Sequence, residues 1–438
     1  MTRKMHLFAY LKTGPTALHA SGWRHPEATL GDILSPSRYE NIARTLEDAC
    51  FDGCFFADLQ GLYDIHAGGY DAYVRHGGQI SYLDPMTVLP VMAAATRHIG
   101  LGATLSTTLM PAYHLARTLL SLDVFSLGRV AWNIVTSATD LEARNYGLEA
   151  LPDKDARYDQ ADEVVEACMK LWRSWDRDSW VLDKEAGYFA DPSKVHYTDY
   201  AGKYVRTRGP LTIPQSAQGH PVLMQAGSSP RGVEFAARWA EIVFTFGSAP
   251  EKAIAAYDRL KSQMVANGRR PGDCAVAMQV TCVVGETDSI AQEKADFANA
   301  LAAEELNAAA ASASAGVDIT RLGGAEGAAS KAAGAQGMHA AIEELEELRR
   351  QGAASVAAAA RKRVPSQIVG SPTTVADKLE ELFTAGCCDG FVLTPVTFPT
   401  SHETFARAVV PELQRRGLFR TRYEADTLRG NLGSRPGR

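Results

Sequence analysis

Short apolar runs alternate with longer amphipathic stretches along most of the chain. The short runs lie between glycines, prolines and polar residues, a pattern typical of strands that are buried on both faces. The longer stretches carry apolar residues at helical spacing, which predicts helices packed on one side. Regular alternation of the two predicts a parallel sheet whose crossover connections are helices.

Eight buried strands are predicted, each followed by a helical segment. In chain order the strands are His6–Tyr10, Gly53–Asp58, Ile99–Ser106, Val130–Ser137, Pro221–Gly227, Glu241–Thr245, Val276–Val284 and Gly390–Pro395. The helix after the fourth strand has the clearest pattern, with one apolar face formed by Ala161, Val164, Val165, Cys168, Leu171, Trp172 and Trp175. Eight such units predict an α/β fold of the (β/α)8 TIM-barrel class.

Two segments interrupt the alternation. Residues 177–215, after strand 4 and its helix, predict an inserted loop with a hairpin. Residues 287–365, after strand 7, are rich in alanine with clusters of glycine, and predict helices at both ends of a mobile middle. This second insertion is either a helical excursion or a lid over a site. We expect one barrel domain over 1–438 that contains both insertions.

Composition narrows the class of protein. The chain has 438 residues, 46% hydrophobic and 22% charged, as in globular proteins, and its formal charge of −6 argues against nucleic acid as a partner. No apolar stretch is long enough to span a membrane. The seven cysteines have no metal-ligand spacing, so no metal site is expected and we expect reduced thiols in a cytoplasmic protein.

The carboxyl ends of the predicted strands carry hydroxyl, amide and carboxylate groups, and this end of such a barrel holds the active site. Asp58, Thr104, Asn133 and Ser229 lie there. Ser229 precedes Pro230 at a helix start, where free backbone N–H groups and the helix dipole favour a phosphate. Lys154 and Tyr158 open the helix after strand 4 and offer a cation and a donor to the same anion. The alternative for both starts is ordinary helix capping.

Several longer motifs occur in a recognisable order. They are SLGRVAWNIVTS at 126–137, EARNYG at 142–147, DARY at 155–158 and QAGSSPRG at 225–232, with GWRH at 22–25, DPSKVH at 191–196 and VPELQRRG at 410–417. In these motifs the chain resembles the bacterial luciferase-like flavin monooxygenases. Within them it is similar to the branch of nitrilotriacetate, dibenzothiophene-sulfone and long-chain alkane monooxygenases.

The resemblance implies a two-component enzyme. Such an enzyme takes reduced FMN (FMNH2) from a separate NAD(P)H:flavin reductase, forms a C4a-(hydro)peroxyflavin with O2 and inserts one oxygen atom into a small organic substrate. It implies flavin contacts at Asp58, Thr104, Lys154, Tyr158, Ser228 and Ser229, with Asn133 as a further candidate. The family commonly has histidine at the position of Lys154, and a lysine still complements a phosphate. Relatives are commonly dimers or tetramers, so we expect a homo-oligomer.

The substrate wall is predicted on the loops after strands 1 to 3. Its candidates are Trp23, Tyr63, Gln79, Met110 and Tyr113, each of which packing alone would also explain. His19 and His114 are the candidates for protonating or stabilising the oxygenated flavin. The mixed wall favours an aromatic or organosulfur substrate.

Other functions stay open at this point. A deazaflavin-dependent oxidoreductase of the same superfamily would transfer hydride without O2, and a non-catalytic barrel would bind flavin without turnover. Without the family resemblance, a barrel hydrolase that pairs Asp58 with Asp140 or Asp155 would be the choice.

Overall fold

The computed structural model describes residues 3–434 except 21, 228, 248, 322–346, 348–349, 351–354 and 364–365. Its centre is a closed barrel of eight parallel strands. In chain order the strands are β1 His6–Leu11, β2 Gly53–Phe56, β3 Gly100–Ser106, β4 Val130–Val135, β5 Val222–Gln225, β6 Ile242–Thr245, β7 Ala275–Val284 and β8 Gly390–Thr394. The predicted strands and the barrel class are confirmed.

The barrel closes through two pairings at the ends of the strand order. β1 pairs with both β2 and β8, so the first and last strands are neighbours. β6 pairs with β7 from Ile242 opposite Ala275, which joins the two remaining edges. Because the ring is complete, the eight long strands leave no free edge.

One helix follows each strand and forms the outer layer. These helices are α1 Pro36–Asp48, α2 Pro85–Ala95, α3 Ala112–Phe125, α4 Lys154–Trp172, α5 Pro230–Trp239, α6 Pro250–Ala266, α7 Pro372–Thr384 and α8 Thr400–Arg415. The predicted face of α4 is buried as far as Trp172. The prediction was wrong for Trp175, which lies beyond the end of the helix and donates its Nε1–H to the Leu211 carbonyl at 2.7 Å.

Shorter elements occupy the connections. They are helices Gly22–Arg24, His66–Gly68, Asp71–Arg75, Asp140–Asn145, Pro192–Lys194, Pro271–Asp273, Ile319–Arg321, Val356–Arg361 and Leu428–Leu432, and strands Trp180–Asp183, Tyr188–Ala190, Tyr200–Ala201, Arg206–Thr207 and Ile368–Gly370. Ile368–Gly370 pairs in parallel with Cys282–Val284 at the end of β7. Three residues are too few to show a period, and this strand was not predicted.

Successive side chains along each strand point alternately into two apolar layers. Phe8, Phe55, Met224 and Val392 fill the barrel interior with other small and aromatic side chains. Intervening residues such as Leu7 and Phe56 pack outward against the helices. Leu428 and Leu432, on the last short helix, join the interior cluster and close the amino end of the barrel. The opposite end, where the strands' carboxyl ends and the following loops lie, is called the mouth below.

The insertion at 177–215 forms two hairpins, Trp180–Asp183 with Tyr188–Ala190 and Tyr200–Ala201 with Arg206–Thr207. It packs on the outer helical layer: the Glu163 carboxylate on α4 accepts hydrogen bonds from the backbone of residues 203–205. The second hairpin confirms the predicted loop with a hairpin.

The insertion at 287–365 contacts the mouth. It begins with helix Asp288–Ala300 and continues with Glu304–Ala315, named the cover helix here. Leu306 and Ala309 of the cover helix pack against Ala20 and Tyr73 in the loops after β1 and β2. The predicted mobile middle falls mostly on 322–354, outside the described residues apart from 347 and 350.

Candidate functional site

A chain of hydrogen bonds links neighbouring strands at the mouth. Asn133 on β4 donates its Nδ2–H to Thr104 Oγ1 on β3 at 2.8 Å, and Thr104 donates to the Phe56 carbonyl on β2 at 2.7 Å. Both side chains point into the barrel because they alternate with outward-facing Ala103 and Trp132. The structure therefore brings Thr104 and Asn133 together, as expected for neighbouring strand ends.

Two buried oxygen atoms at this level have no partner among the described residues. They are Asn133 Oδ1 and Thr394 Oγ1, the latter at the end of β8. A buried polar atom without a partner costs free energy unless water or a ligand binds it. The mouth is thus lined with groups ready to hydrogen-bond a polar ligand.

A second cluster forms where β5 leads into α5. Ser229 is the N-cap residue of α5, its Oγ accepts the Gly232 N–H at 3.1 Å, and Pro230 occupies the first turn. The buried Tyr158 hydroxyl from α4 lies within hydrogen-bonding reach of Ser229 and Gln225, and burial raises its pKa. The predicted cap is confirmed, and the structure adds that the two helix starts meet.

The backbone around this cluster leaves no room for larger residues. A Cβ at Gly227 would lie 2.1 Å from Gln225 Nε2 and 2.8 Å from Tyr158 Oη. A Cβ at Gly232 would lie 2.8 Å from Tyr158 Oη. Glycine therefore allows the backbone amides to approach the two hydroxyls, which is the geometry of an anion-binding cradle.

The cations near the cradle differ in availability. Arg231 is engaged by Asp159 and Asp162, at 3.1 Å and 2.5 Å. Lys154, on the first turn of α4, is half-buried and has no ion pair within the described part of the chain. Lys154 lies one turn before Tyr158 on α4 and is therefore a candidate cation for an anion in the cradle. Ser228, also predicted at this site, lies outside the described residues.

Asp58 lies on the opposite side of the mouth, after β2. Burial raises its pKa, while a hydrogen bond from Ser81 and the charge of Lys12 lower it. Lys12 is buried after β1 and donates to Ser81 Oγ at 3.5 Å. Asp140, considered as a hydrolytic partner of Asp58, instead accepts the Leu151 N–H at 2.9 Å, and Asp155 is exposed.

His19 and His114 are in different environments. His19 is buried, shares a 3.0 Å hydrogen bond between Nε2 and Asn299 Oδ1, and has an Nδ1 atom without a partner among the described residues. Burial lowers its pKa, so the imidazole is neutral at pH 7. His114 is exposed on the first turn of α3. The structure therefore places His19 in contact with the helix Asp288–Ala300 of the insertion, whereas His114 is exposed.

The residues predicted for the substrate wall also lie in two different environments. Trp23, Tyr63 and Gln79 are half-buried in the loops that the cover helix and its neighbours pack on. Trp23 donates its Nε1–H to the His76 carbonyl at 2.8 Å. Met110 and Tyr113 pack against the main core instead, and Tyr113 donates its hydroxyl to the Pro210 carbonyl at 3.3 Å.

Sequence reasoning missed Lys12, Glu142 and Gln225. Glu142 is buried beside Thr139, and Gln225 has a buried Oε1 without a partner in the described chain. The signal for Lys12 was available, because it continues the two-residue alternation of Phe8 and Tyr10 into the mouth. Glu142 and Gln225 carry no comparable local signal.

These groups fit a flavin mononucleotide. The cradle at 227–232 with Tyr158, Ser229 and Lys154 offers donors and a positive charge for a phosphate. Asn133, Thr104 and Thr394 offer donors and acceptors for the polar edge of a ring system at the mouth. The orphaned oxygen atoms and the glycine-dependent cradle are the observations that support this fit.

Two other features are not found among the described residues. Within them there is no group of three or more His, Cys, Asp or Glu side chains arranged to hold a metal ion. No helix in the same residues is long and apolar enough to cross a membrane. All seven cysteines are buried and free of disulfides.

Comparisons with known proteins give consistent results. Residues 15–388 match the family model described as luciferase-like monooxygenase. The chain is 42% identical to the dibenzothiophene-sulfone monooxygenase of Rhodococcus erythropolis strain XP, over 99% of this chain and 97% of that protein. It is 36% identical to component A of the nitrilotriacetate monooxygenase of Aminobacter aminovorans, over 95% and 94%.

A similar solved structure contains flavin ligands. A riboflavin lyase, crystallised with modified FMN and riboflavin, is 31% identical to this chain and superposes with a TM-score of 0.90. The similarity covers 99% of this chain and 96% of the lyase.

Proposed function

Because the chain belongs to the luciferase-like monooxygenase family, we propose that it is the oxygenase component of a two-component system. In this proposal it takes reduced FMN from a separate NAD(P)H:flavin reductase and inserts one atom of O2 into a small organic molecule. The family resemblance predicted from the sequence motifs is confirmed by the family model and the relatives.

One observation carries the proposal for the cofactor. The Tyr158 and Ser229 hydroxyls meet at the start of α5, where a Cβ at residue 227 or 232 would lie 2.8 Å from Tyr158 Oη. Charge-assisted hydrogen bonds from such donors suit a phosphate dianion, and the helix dipole adds to them. The riboflavin lyase, solved with modified FMN, supports FMN as the cofactor.

Reduced FMN would supply the oxygen-transfer chemistry, so the protein needs no nucleophile of its own. The residues described here have three tasks. Tyr158, Ser229 and Lys154 hold the phosphate, Thr104 and Asn133 orient the ring, and the cover helix over Tyr63 and Ile80 limits access of water. The neutral His19 imidazole, beside the helix Asp288–Ala300, offers a buried acceptor, Nδ1.

We propose an aromatic or organosulfur substrate. The support is the similarity to a dibenzothiophene-sulfone monooxygenase along nearly the whole chain, together with the aromatic wall of Trp23 and Tyr63. The separate reductase is supported by the relative that is a "component A". As the family resemblance implies, we also propose that the protein is a homo-oligomer. We further propose that it is located in the cytoplasm.

The proposal is tested by oxygen-isotope incorporation. The protein is mixed with FMN, NADH, a flavin reductase and 18O2, and a panel of aromatic sulfones, thioethers, alkanes and aminopolycarboxylates is analysed by mass spectrometry. We expect product with one 18O atom only when flavin and reductase are both present. Turnover with a reduced deazaflavin and no O2 would instead favour the hydride-transfer alternative, and absence of any product would contradict a monooxygenase.

The cofactor site is tested by a double substitution. Ser229→Ala with Tyr158→Phe removes both hydroxyls, and we expect reduced-FMN binding to weaken by about 1–3 kcal/mol because the phosphate loses two donors. Binding is measured anaerobically by fluorescence titration.

Matched controls exist elsewhere in the chain. Ser371 caps α7 ahead of Pro372 as Ser229 caps α5, and Tyr257 buries a hydroxyl against Asp389. Ser371→Ala with Tyr257→Phe therefore removes the same groups away from the cradle and should leave flavin affinity unchanged. Equal flavin affinity in both double variants would refute the cradle assignment.

A further inference from the structure

Lys12 is a buried cation at the mouth. It follows β1 directly and continues the alternation of Phe8 and Tyr10, whose side chains contact the barrel interior. The residue is only 5% exposed. Lysine is rarely buried to this extent unless its ammonium group is paired, so its surroundings need an explanation.

The ammonium group has little to pair with. Its only hydrogen bond in the described part of the chain is to Ser81 Oγ, at a long 3.5 Å. No carboxylate of the described residues lies within 4.0 Å of Nζ, the limit for an ion pair. An ammonium has three N–H donors, and a buried one with a single long contact is under-partnered.

Charges at longer range keep Lys12 protonated at neutral pH. Burial lowers its pKa to about 8, and the negative charges of Asp58 and Glu142 oppose that shift. Tyr10 and Tyr63 lie on the same side of the mouth, and burial raises the pKa of each hydroxyl, so both stay neutral. Lys12 is thus a buried positive charge on this side of the mouth.

This side is remote from the phosphate cradle. The strand order runs β5, β4, β3, β2, β1, so β1 and β5 stand opposite each other in the ring of eight. Lys12 instead lies beneath the loops that carry Tyr63 and Ile80, against which the cover helix packs. These loops hold the predicted substrate wall.

We propose that Lys12 Nζ donates a hydrogen bond to an acceptor oxygen of the substrate, and that Lys12 thereby selects molecules bearing a sulfonyl, sulfinate or carboxylate oxygen. This inference rests on the proposed function, since it assigns the substrate class of the same site. A site built to hydrogen-bond an oxygen discriminates strongly against an analogue without it, because the buried donor is then left unpaired.

The proposal is tested with two molecules that share a ring system. Dibenzothiophene sulfone carries two acceptor oxygens, and dibenzothiophene carries none. Their affinities for the flavin-free protein are measured by calorimetry or fluorescence for wild type and Lys12→Met, which keeps the length of the side chain and removes its charge. We expect the sulfone to bind at least tenfold more weakly to Lys12→Met, with dibenzothiophene changed less than threefold.

Lys154→Met is the matched control. It removes a half-buried lysine on the side of the phosphate cradle. We expect Lys154→Met to weaken reduced-FMN binding with little effect on the sulfone, and Lys12→Met to do the reverse. A loss of reduced-FMN affinity in Lys12→Met as large as its loss of sulfone affinity would overturn the proposal, since Lys12 would then serve the flavin.

The wild-type protein provides a test that needs no variant. Sulfone affinity should fall as pH rises through about 8, where Lys12 loses its proton. Burial raises the pKa of Asp58 and of Glu142, the two carboxyl groups whose charges act on Lys12, and the charge of Asp84 raises the pKa of Asp58 further. Tyr10 and Tyr63 titrate above Lys12. The fall near pH 8 therefore reports Lys12.

Three further outcomes overturn the proposal. They are equal sulfone affinity in wild type and Lys12→Met, sulfone binding that does not change between pH 7 and 9, and no sulfone binding to wild type. Failure of the proposed function is separate, because it is the absence of flavin-dependent 18O incorporation and does not affect binding to the flavin-free protein.

Discussion

Tyr158 and Ser229 show how single residues create the candidate cofactor site. They are on different helices, and the Tyr158 hydroxyl reaches the start of α5 only because residues 227 and 232 have no side chain. Ser229 serves two purposes, since its Oγ caps α5 and lies beside Tyr158 Oη. A capping interaction and the proposed binding site therefore share the same atoms, which explains why the sequence pattern fitted both interpretations.

Gly227 offers a test of the cradle at the scale of one methyl group. Gly227→Ala places a Cβ 2.1 Å from Gln225 Nε2 and 2.8 Å from Tyr158 Oη, so the Gln225 side chain must move and the cradle must widen. We expect reduced-FMN affinity to fall about tenfold or more, equivalent to about 1.4 kcal/mol, as measured by anaerobic titration. Gly31→Ala, where nothing lies within 4 Å of the new Cβ, is the control and should bind FMN normally.

At the scale of elements, the cover helix is the element that packs on the loops of the mouth. Half of its twelve residues are alanine, and Ala308, Ala309 and Ala311 are buried at close approach to neighbouring segments. Polar contacts also tie the insertion to the loops after β1 and β2. Asp318 accepts the Ala67 N–H at 3.0 Å, and His76 pairs with Glu305 at 3.0 Å. The insertion is therefore anchored over the mouth from several points.

Leu306 is the largest buried side chain of the cover helix and sits against Ala20 and Tyr73. Leu306→Ala removes most of this contact and should destabilise the docked helix by about 2–5 kcal/mol, because a cavity replaces the side chain. We expect hydrogen exchange to accelerate in residues 304–315, while exchange in the barrel strands stays slow.

Leu34→Ala is the control for this experiment, since Leu34 is 62% exposed. It should leave hydrogen exchange throughout the cover helix unchanged. Uniform acceleration across strands and cover helix in Leu306→Ala would show that the helix unfolds only with the whole barrel, and would contradict a separately opening cover.

At the scale of the whole molecule, the amino end of the barrel is closed by a polar network. Buried Arg429, on the last short helix, pairs with Glu241 at 2.7 Å and donates to the His220 carbonyl at 3.0 Å. The His220 ring stacks on Trp172. The end of the chain thus connects β5, β6 and α4, and the end opposite the mouth serves stability.

Buried histidines make the stability of the molecule depend on pH. Burial lowers the pKa of His220 and of His402 to about 4, below the ordinary value near 6.5 that both regain on unfolding. The unfolded chain therefore takes up protons that the folded chain does not as pH falls from 6.5 to 4. Each histidine should cost up to about 3 kcal/mol of stability over this window.

Asp123 acts in the opposite direction, because burial raises its pKa to about 6. We expect the net result to be a falling urea midpoint between pH 6.5 and 4.5. His402 Nε2 lies 3.3 Å from the Leu393 carbonyl oxygen. His402→Gln keeps a donor for that carbonyl and removes one titrating group. Its urea midpoint should fall less steeply with pH, and an identical slope would exclude His402 as a cause.

Local pattern was enough to predict the barrel, because burial on both faces makes each strand a short apolar run and packing on one face gives each helix its spacing. The Ser229–Pro230 helix start was equally visible, since capping depends on neighbouring residues. The family motifs and their order were also in the sequence itself.

Only the tertiary structure decided which polar groups meet. Lys12 and Ser81, Tyr158 and Ser229, and His19 and Asn299 are far apart in sequence, and their pairing depends on how the ring of strands closes and on where the insertion docks. The same applies to His114, whose exposure follows from the rotation of α3 on the barrel. Local periodicity records whether a residue is buried, whereas its partners are determined by contacts between segments that no local pattern encodes.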